Sequence, residues 1–322
     1  MSKRIAVTGG EGFVGRHFIE VLKRLGHKIT SIDIENRGHW KRLGVAFVHA
    51  DLRDYLRSRP TSEFDTVIHC AAVVGGRLHI ENHPIDVATD LAIDSDLFAW
   101  IVKPQNIKTR LIYFSSSAAY PLALQTQRSH FRLREDRMYP LADLNIGEPD
   151  MTYGWVKLSG EVLTRFAVEK YGADVRIYRP FGGYGEDQDF TYPFPSIIQR
   201  IINRENPVAI WGSGKQERDF IHIDDVVNAV LATEDVMKSG EALNLGLGIP
   251  ISFEYLALRA CELLGQKFNI KAHPEMPEGV FSRVADVTKL NRWYTPEVSL
   301  DAGILRVAQA LSKGLDRNHK TA

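Results

Sequence analysis

Two stretches of this 322-residue chain hold side chains able to move a proton, FSSSAAYP at 114–121 and MTYGWVKLSGE at 151–161. Tyr153 and Lys157 are four residues apart in a segment of helical periodicity, so they share one helix face. A lysine ammonium one turn from a phenol favours the phenolate. A phenol so placed can exchange a proton with a substrate hydroxyl near neutral pH. The serines at 115–117, Ser115, Ser116 and Ser117, end a strand-like run and can reach the same point to orient that hydroxyl. Tyr-x-x-x-Lys alone is a common spacing on solvated helix faces, and its meaning rests on what lies upstream.

Upstream the chain opens MSKRIAVTGGEGFVGRHF. Arg4 to Thr8 reads as a buried strand and Val14 to Leu25 as a helix, with Gly9, Gly10, Gly12 and Gly15 at the turn between them. A strand, a glycine-rich turn and a helix start form the context of a dinucleotide site. One glycine makes the tight turn, another lets backbone approach a pyrophosphate, and a third lets helix and strand pack closely. The helix start at Phe13 and Val14 offers N–H groups and a partial positive charge to phosphate. The second strand ends SIDIE, and a carboxylate at Asp33 can take both ribose hydroxyls and repel a 2′-phosphate. NAD is therefore expected rather than NADP; Glu35 points the same way, and Arg37 points against it. Asp51-Leu52 and Ala71-Ala72 follow later strands at the same edge, and with Ser115 and Pro180 they complete the expected cofactor contacts.

Short apolar runs alternate with helical segments through the first half: strands at 28–34, 46–49, 66–71, 110–115 and 174–178, helices at 85–102 and 153–171. That alternation predicts parallel βαβ units and a Rossmann-type, doubly wound α/β sheet. After Pro180 the texture turns to Gly, Pro and aromatic residues. Residues 1–180 are expected to form the nucleotide-binding domain, receiving 217–245 as well, and 181–322 mainly a smaller α/β substrate-binding lobe. Forty basic and forty acidic side chains cancel, which argues against nucleic acid as a partner. No apolar stretch approaches the ~18 residues that cross a bilayer. Two cysteines and no apolar leader imply a reducing, cytoplasmic setting without disulfides. No His, Cys and carboxylate group has metal-site spacing, and His69 reads as structural.

TGGEGFVG, Asp33, HCAA at 69–72, SSSAAY, YGWVK, RPFGGYG at 179–185 and WGSGKQERDFIHIDD at 211–225 occur in that order. Together they resemble the extended short-chain dehydrogenase/reductases, the NAD-dependent nucleotide-sugar epimerases and dehydratases, over almost the whole chain to about Pro296. The resemblance implies Tyr153 as acid/base, Lys157 as anchor of the nicotinamide ribose, and Ser116 as holder of the reacting hydroxyl, with Ser117 beside it. It implies Arg218 and Arg283 on a nucleotide diphosphate, UDP- or GDP-linked, Asp286 on the nucleotide ribose, and a homodimer formed through two helices per subunit. Two positions depart from the family pattern: Gly182 and Asp90 stand where asparagines are usual. The loop 122–150 with its charged run reads as a solvated lid. Tyr184, Phe190, Tyr192 and Phe194 are expected at the sugar-pocket rim or in the core.

Relatives that dehydrate or decarboxylate the sugar carry an acid two residues before the tyrosine of SSSAAY. The 3,5-epimerases and GDP-fucose synthases, similar here in AAVVGG and in PEGV at 277–280, carry a cysteine there. This chain has Ala118. An alanine can neither protonate a leaving hydroxyl nor shuttle a carbon-bound proton, so His79, Tyr139 or another group would have to substitute. The remaining Ser, Tyr, Lys and NAD suit 4-epimerisation through a 4-keto sugar. The alternative with the same residues is a 4-keto-sugar reductase.

Overall fold

A computed structural model describes residues 2–38, 40, 43–73, 75–128, 130–138 and 147–320, with side chains of the last helix up to residue 313. The strands β1 (Arg4–Thr8), β2 (Lys28–Asp33), β3 (Ala46–His49), β4 (Thr66–His69), β5 (Arg110–Phe114), β6 (Val175–Pro180) and β9 (Ala242–Leu245) make one seven-stranded parallel sheet. Its order is β3-β2-β1-β4-β5-β6-β9. The winding reverses between β1 and β4, and at such a switch the strand ends diverge to leave a crevice at the carboxyl edge.

Side chains alternate across the pleat, so neighbouring residues of one strand serve different layers. Ile112 and Phe114 pack with Phe18, Ile19 and Leu22 of α1 (Phe13–Arg24) and with Val226, Val227 and Val230 of α7 (Ile223–Thr233). Leu111 and Tyr113 pack on the opposite face with Leu56 of α2 (Leu52–Ser58), Leu97 and Trp100 of α4 (Pro84–Ile101), and Ala167 of α5 (Met151–Tyr171). A short helix α3 (Arg77–Asn82) precedes α4. The doubly wound sheet is thus the one that the sequence leads one to expect.

A second layer sits at the carboxyl edge. Here β8 (Glu217–Arg218) lies between β10 (Ile251–Ser252) and β12 (Ser282–Arg283), and β7 (Val208–Trp211) pairs with β11 (Ile270–His273). Phe194 and Ile198 of α6 (Pro193–Ile202), Leu256 of α8 (Phe253–Leu263) and Ile304 of α9 (Leu300–Lys320) form its core. Of the stretch 217–245, β8 belongs to this small sheet, whereas α7 and β9 belong to the large one.

Candidate active site

The glycine turn divides its labour. Gly9 has φ +69°, and a Cβ there would lie 2.7 Å from the Ala71 nitrogen. At Gly10 a Cβ would meet Ser31 Oγ at 2.2 Å, and at Gly15 the Gly9 carbonyl at 2.2 Å. Those three glycines are required by the packing of β1, β2, β4 and α1 on one another. Gly12 differs: a Cβ there meets only the Gly9 oxygen, at 3.1 Å. Gly12 is the N-cap of α1 and brings no side chain to it, and the first turn carries no acidic residue. The turn therefore presents bare backbone and the N–H groups of Phe13 and Val14, which fits a pyrophosphate.

Asp33 ends β2 beside that turn. Its Oδ2 accepts the Glu11 amide at 2.8 Å and its Oδ1 the Glu35 amide at 2.9 Å. Each carboxylate oxygen keeps a lone pair, so the fixed carboxylate can still accept two ribose hydroxyls. Arg37, the residue that spoke for a 2′-phosphate, is paired with Glu35 at 2.6 Å. Asp51 has both oxygens engaged by Arg53, whose Nη2 lies 2.6 Å from Oδ2, and it caps α2 through the Arg53 amide. Leu52 is buried, Ala71 donates its amide to Thr8 Oγ1, and Ala72 continues past that bond. Ser115 Oγ turns away from the crevice to donate to Glu161 at 2.5 Å. Only its backbone is left for a cofactor.

Ser116 caps the short turn Ser117–Ala119, its Oγ accepting the Ala118 amide at 3.1 Å. The Asp150 amide donates to the Ala118 carbonyl at 2.9 Å. Gly154 brings α5 against the same carbonyl, since a Cβ there would lie 2.5 Å from it. One turn of backbone thus holds the serines against the start of the helix that carries Tyr153 and Lys157. The Lys157 Nζ stands 5.7 Å from the Tyr153 ring centroid and 5.6 Å from that of Tyr113. Burial works against the Lys157 charge, but Tyr153, Asp94 and Asp90 outweigh it and raise its pKa. Lys157 therefore stays protonated beside the phenol.

Three arginines, Arg77, Arg218 and Arg283, converge near Asp150. Asp150 accepts Arg77 at 2.9 Å and Arg283 at 2.8 Å. Arg283 also donates to Gln125 at 2.6 Å. Arg218 donates to the carbonyls of Glu217, Val280 and Glu278, and a Cβ at Gly279 would lie 3.3 Å from Arg218 and 3.5 Å from Arg77. Burial and the charges of Arg283 and Arg77 push the Arg218 guanidinium's pKa down. Arg77 and Arg283 are paired with Asp150, and Arg77 with Glu81 as well, whereas Arg218 donates to carbonyls, and the planar fork of a guanidinium suits phosphate. Arg218 and Arg283 are together as expected, whereas Arg77 and Asp150 are additions that no local pattern announced. Asp286, expected at the nucleotide ribose, accepts the Thr288 amide and lines a polar cleft of about 320 Å³ with Arg134, Lys289 and Arg292.

Other expectations sort themselves out. Gly182 has φ +42°, and a Cβ there would lie 2.4 Å from the Asp219 carbonyl, so this turn has no room for the usual asparagine. The charged run is no free lid in its described part. Leu133 is fully buried with Met138, Tyr120 and Phe181, and its backbone bonds to Val284 and Asp286. Tyr184 and Phe194 stack in the core at 3.7 Å, Phe190 is exposed, and Tyr192 is half-buried. His69 is wedged between Thr8 and Asp94, a structural role. His79 lies in α3, and Tyr139 falls outside the described residues.

A bare glycine turn, a fixed carboxylate at the end of β2, a Ser, Tyr and Lys set and a cluster of three arginines fit a dinucleotide-dependent enzyme. Comparison with known proteins refines that class. The family described as NAD dependent epimerase/dehydratase matches residues 5–246. GDP-L-fucose synthase of Escherichia coli (strain K12) is 26% identical over 338 residues, covering 98% of this chain and 99% of that protein. UDP-glucuronate 4-epimerase of Thermodesulfobacterium geofontis is 27% identical, covering 93% of each. The crystal structure of UDP-glucuronic acid 4-epimerase from Bacillus cereus with UDP-glucuronic acid and NAD superposes with a TM-score of 0.80 at 24% identity, over 96% of this chain and 99% of that one. This chain belongs to the NAD-dependent epimerase/dehydratase family of nucleotide-sugar enzymes, and its cofactor is NAD.

Proposed function

We propose that this enzyme is a nucleotide-sugar 4-epimerase, inverting C4 of a nucleotide-diphosphate hexose or hexuronic acid through a transient 4-keto sugar. The observation that carries the reading is the composition of the serine turn. Ser116, Tyr153 and Lys157 are present, and Ala118 occupies the position between them where an acid or thiol would serve dehydration or 3,5-epimerisation. Bound NAD supplies a reversible hydride acceptor. Ser116 orients the C4 hydroxyl, Tyr153 takes its proton and later returns it, and the Lys157 ammonium stands 5.7 Å from the Tyr153 ring throughout. Arg218, Arg283 and Arg77 hold the diphosphate, so the sugar can turn about its linkage without leaving. Relatives named as a 4-epimerase and as a dTDP-4-dehydro-6-deoxy-D-allose reductase match this chain at 27% and 26% identity, so the direction of chemistry is what must be tested.

The protein as purified, given a panel of UDP-, GDP- and dTDP-linked hexoses and hexuronic acids without added cofactor, should invert one of them at C4 by proton NMR. Turnover seen only with reduced nicotinamide and a 4-keto sugar would make it a reductase instead. On that substrate Arg283→Ala should raise KM about 10- to 100-fold, the worth of a charged hydrogen bond, and change kcat much less.

The same reading assigns a homodimer to α4 and α5. Both lie side by side with Leu91, Trp155 and Phe166 exposed at 42%, 46% and 44%. Light scattering should give a dimer, and Trp155→Glu with Phe166→Glu a monomer. A wild-type monomer at micromolar concentration would remove this part of the proposal.

A further inference from the structure

Behind Lys157, α4 sets two carboxyls one turn apart, Asp90 and Asp94, each at most 2% exposed. Their surroundings differ. Asp94 has both oxygens engaged: His69 Nε2 lies 3.1 Å from Oδ1, and the Tyr113 hydroxyl donates to Oδ2 at 2.5 Å. Asp90 Oδ1 accepts the Val73 amide at 2.6 Å, but its Oδ2 is buried with no hydrogen-bond partner among the described residues. A bare carboxylate oxygen inside a protein is costly, and a proton relieves the cost. The groups facing Asp90 are Lys157 from α5, His69 from β4 and Asp94 from its own helix; Lys157 in turn faces Tyr153 and Cys70. Where the family resemblance leads one to expect an asparagine, which does not titrate, this chain has a group that does.

We propose that Asp90 is a positioning residue acting through Lys157: its unpartnered oxygen takes up and releases a proton, and each exchange removes or adds one negative charge in the pocket that holds the ammonium beside Tyr153. Burial pushes the Asp90 carboxyl up to about 6, with Lys157 pulling against it. Below that pH Asp90 is neutral, and the field of Lys157 acts on Tyr153 and Asp94 alone. Above it Asp90 is ionised and takes a share of that field. Two interacting carboxyls pushed apart in this way give one fixed charge and one exchangeable proton. The inference rests on Tyr153 as the proton-exchanging group, but not on which sugar reaction follows.

The first test needs no substrate. Carbon NMR of the holoenzyme labelled at its aspartate carboxyls should show one signal that titrates near pH 6 and is absent from Asp90→Asn. Asp219, also pushed up to about 6 by burial, remains in every variant as an internal control. In Lys157→Met the Asp90 signal should move upward by on the order of one pH unit, because the cation that lowers it is gone. The second test compares turnover of Asp90→Asn with wild type across pH. The ratio of kcat values should be close to one below about pH 5 and depart from one several-fold above about pH 7, when only the wild type gains the charge. A purely structural role would give a flat ratio. A flat ratio, no signal lost in the Asn variant, or a signal indifferent to Lys157→Met would each overturn the proposal. Should Asn fail to fold, Asp90→Ser supplies the neutral comparison in both tests.

Discussion

Tyr153→Phe should lower turnover about 10²- to 10⁴-fold, the usual worth of a positioned acid/base, while KM and the unfolding midpoint stay close to wild type. The three outcomes belong together because of what the hydroxyl touches. Among the described residues no group is hydrogen-bonded to it, so its removal leaves no buried donor or acceptor unpaired. The stability change should fall within about 0.5 kcal/mol. The ring remains, half-buried against the Lys157 ammonium at 5.7 Å, so the helix and the pocket wall keep their packing. The arginines proposed to hold the diphosphate lie on other elements, which is why KM should be spared. A variant that keeps most of its turnover would remove Tyr153 as the proton acceptor and leave the proposed chemistry without a base.

The largest effect on stability should come two turns along the same helix. Glu161 and Arg179 form a bidentate pair, 2.8 and 2.6 Å, with side chains 1% and 2% exposed. Ser115 donates to Glu161, and Arg179 reaches the Tyr120 hydroxyl, which itself donates to Asn244. Glu161→Ala leaves a guanidinium buried without its anion and should lower unfolding stability by about 3–5 kcal/mol. Urea unfolding should show this as a lower midpoint at an unchanged slope. The double variant Glu161→Met, Arg179→Met removes both charges and fills the volume, so it should be more stable than Glu161→Ala. A double variant no better than the single one would mean that the neighbouring hydroxyls, rather than the stranded charge, set the loss.

What could be read from the sequence was local. The glycine turn declares itself because β1 and α1 are contiguous in the chain and their apolar periods differ, and the spacing of Tyr153 and Lys157 is a property of one helix. The arginine cluster is of another kind. Arg77 and Asp150 are 73 residues apart and Arg283 and Asp150 are 133 apart, so their meeting depends on how the small sheet settles over the strand ends. Nothing in the string GGRLHI marks Arg77 beyond its two glycines, of which Gly76 lies close against the Thr191 backbone and Gly75 against His79. Leu133 was hidden by its neighbours, since a single buried leucine in RSHFRLREDR is outvoted by six charged residues around it.

The bond from the Asp150 amide to the Ala118 carbonyl, with Gly154 pressed on the same oxygen, bears on how this scaffold can be altered. It couples the serine turn to the catalytic helix as one rigid unit, so the relative placement of hydroxyl and phenol is not a variable that loop changes can adjust. Anyone seeking a different reaction from this chain must work by exchanging side chains upon that frame. Substitution at position 118 changes the chemistry offered to the sugar ring, while lengthening the loop on either side changes only what is admitted to it.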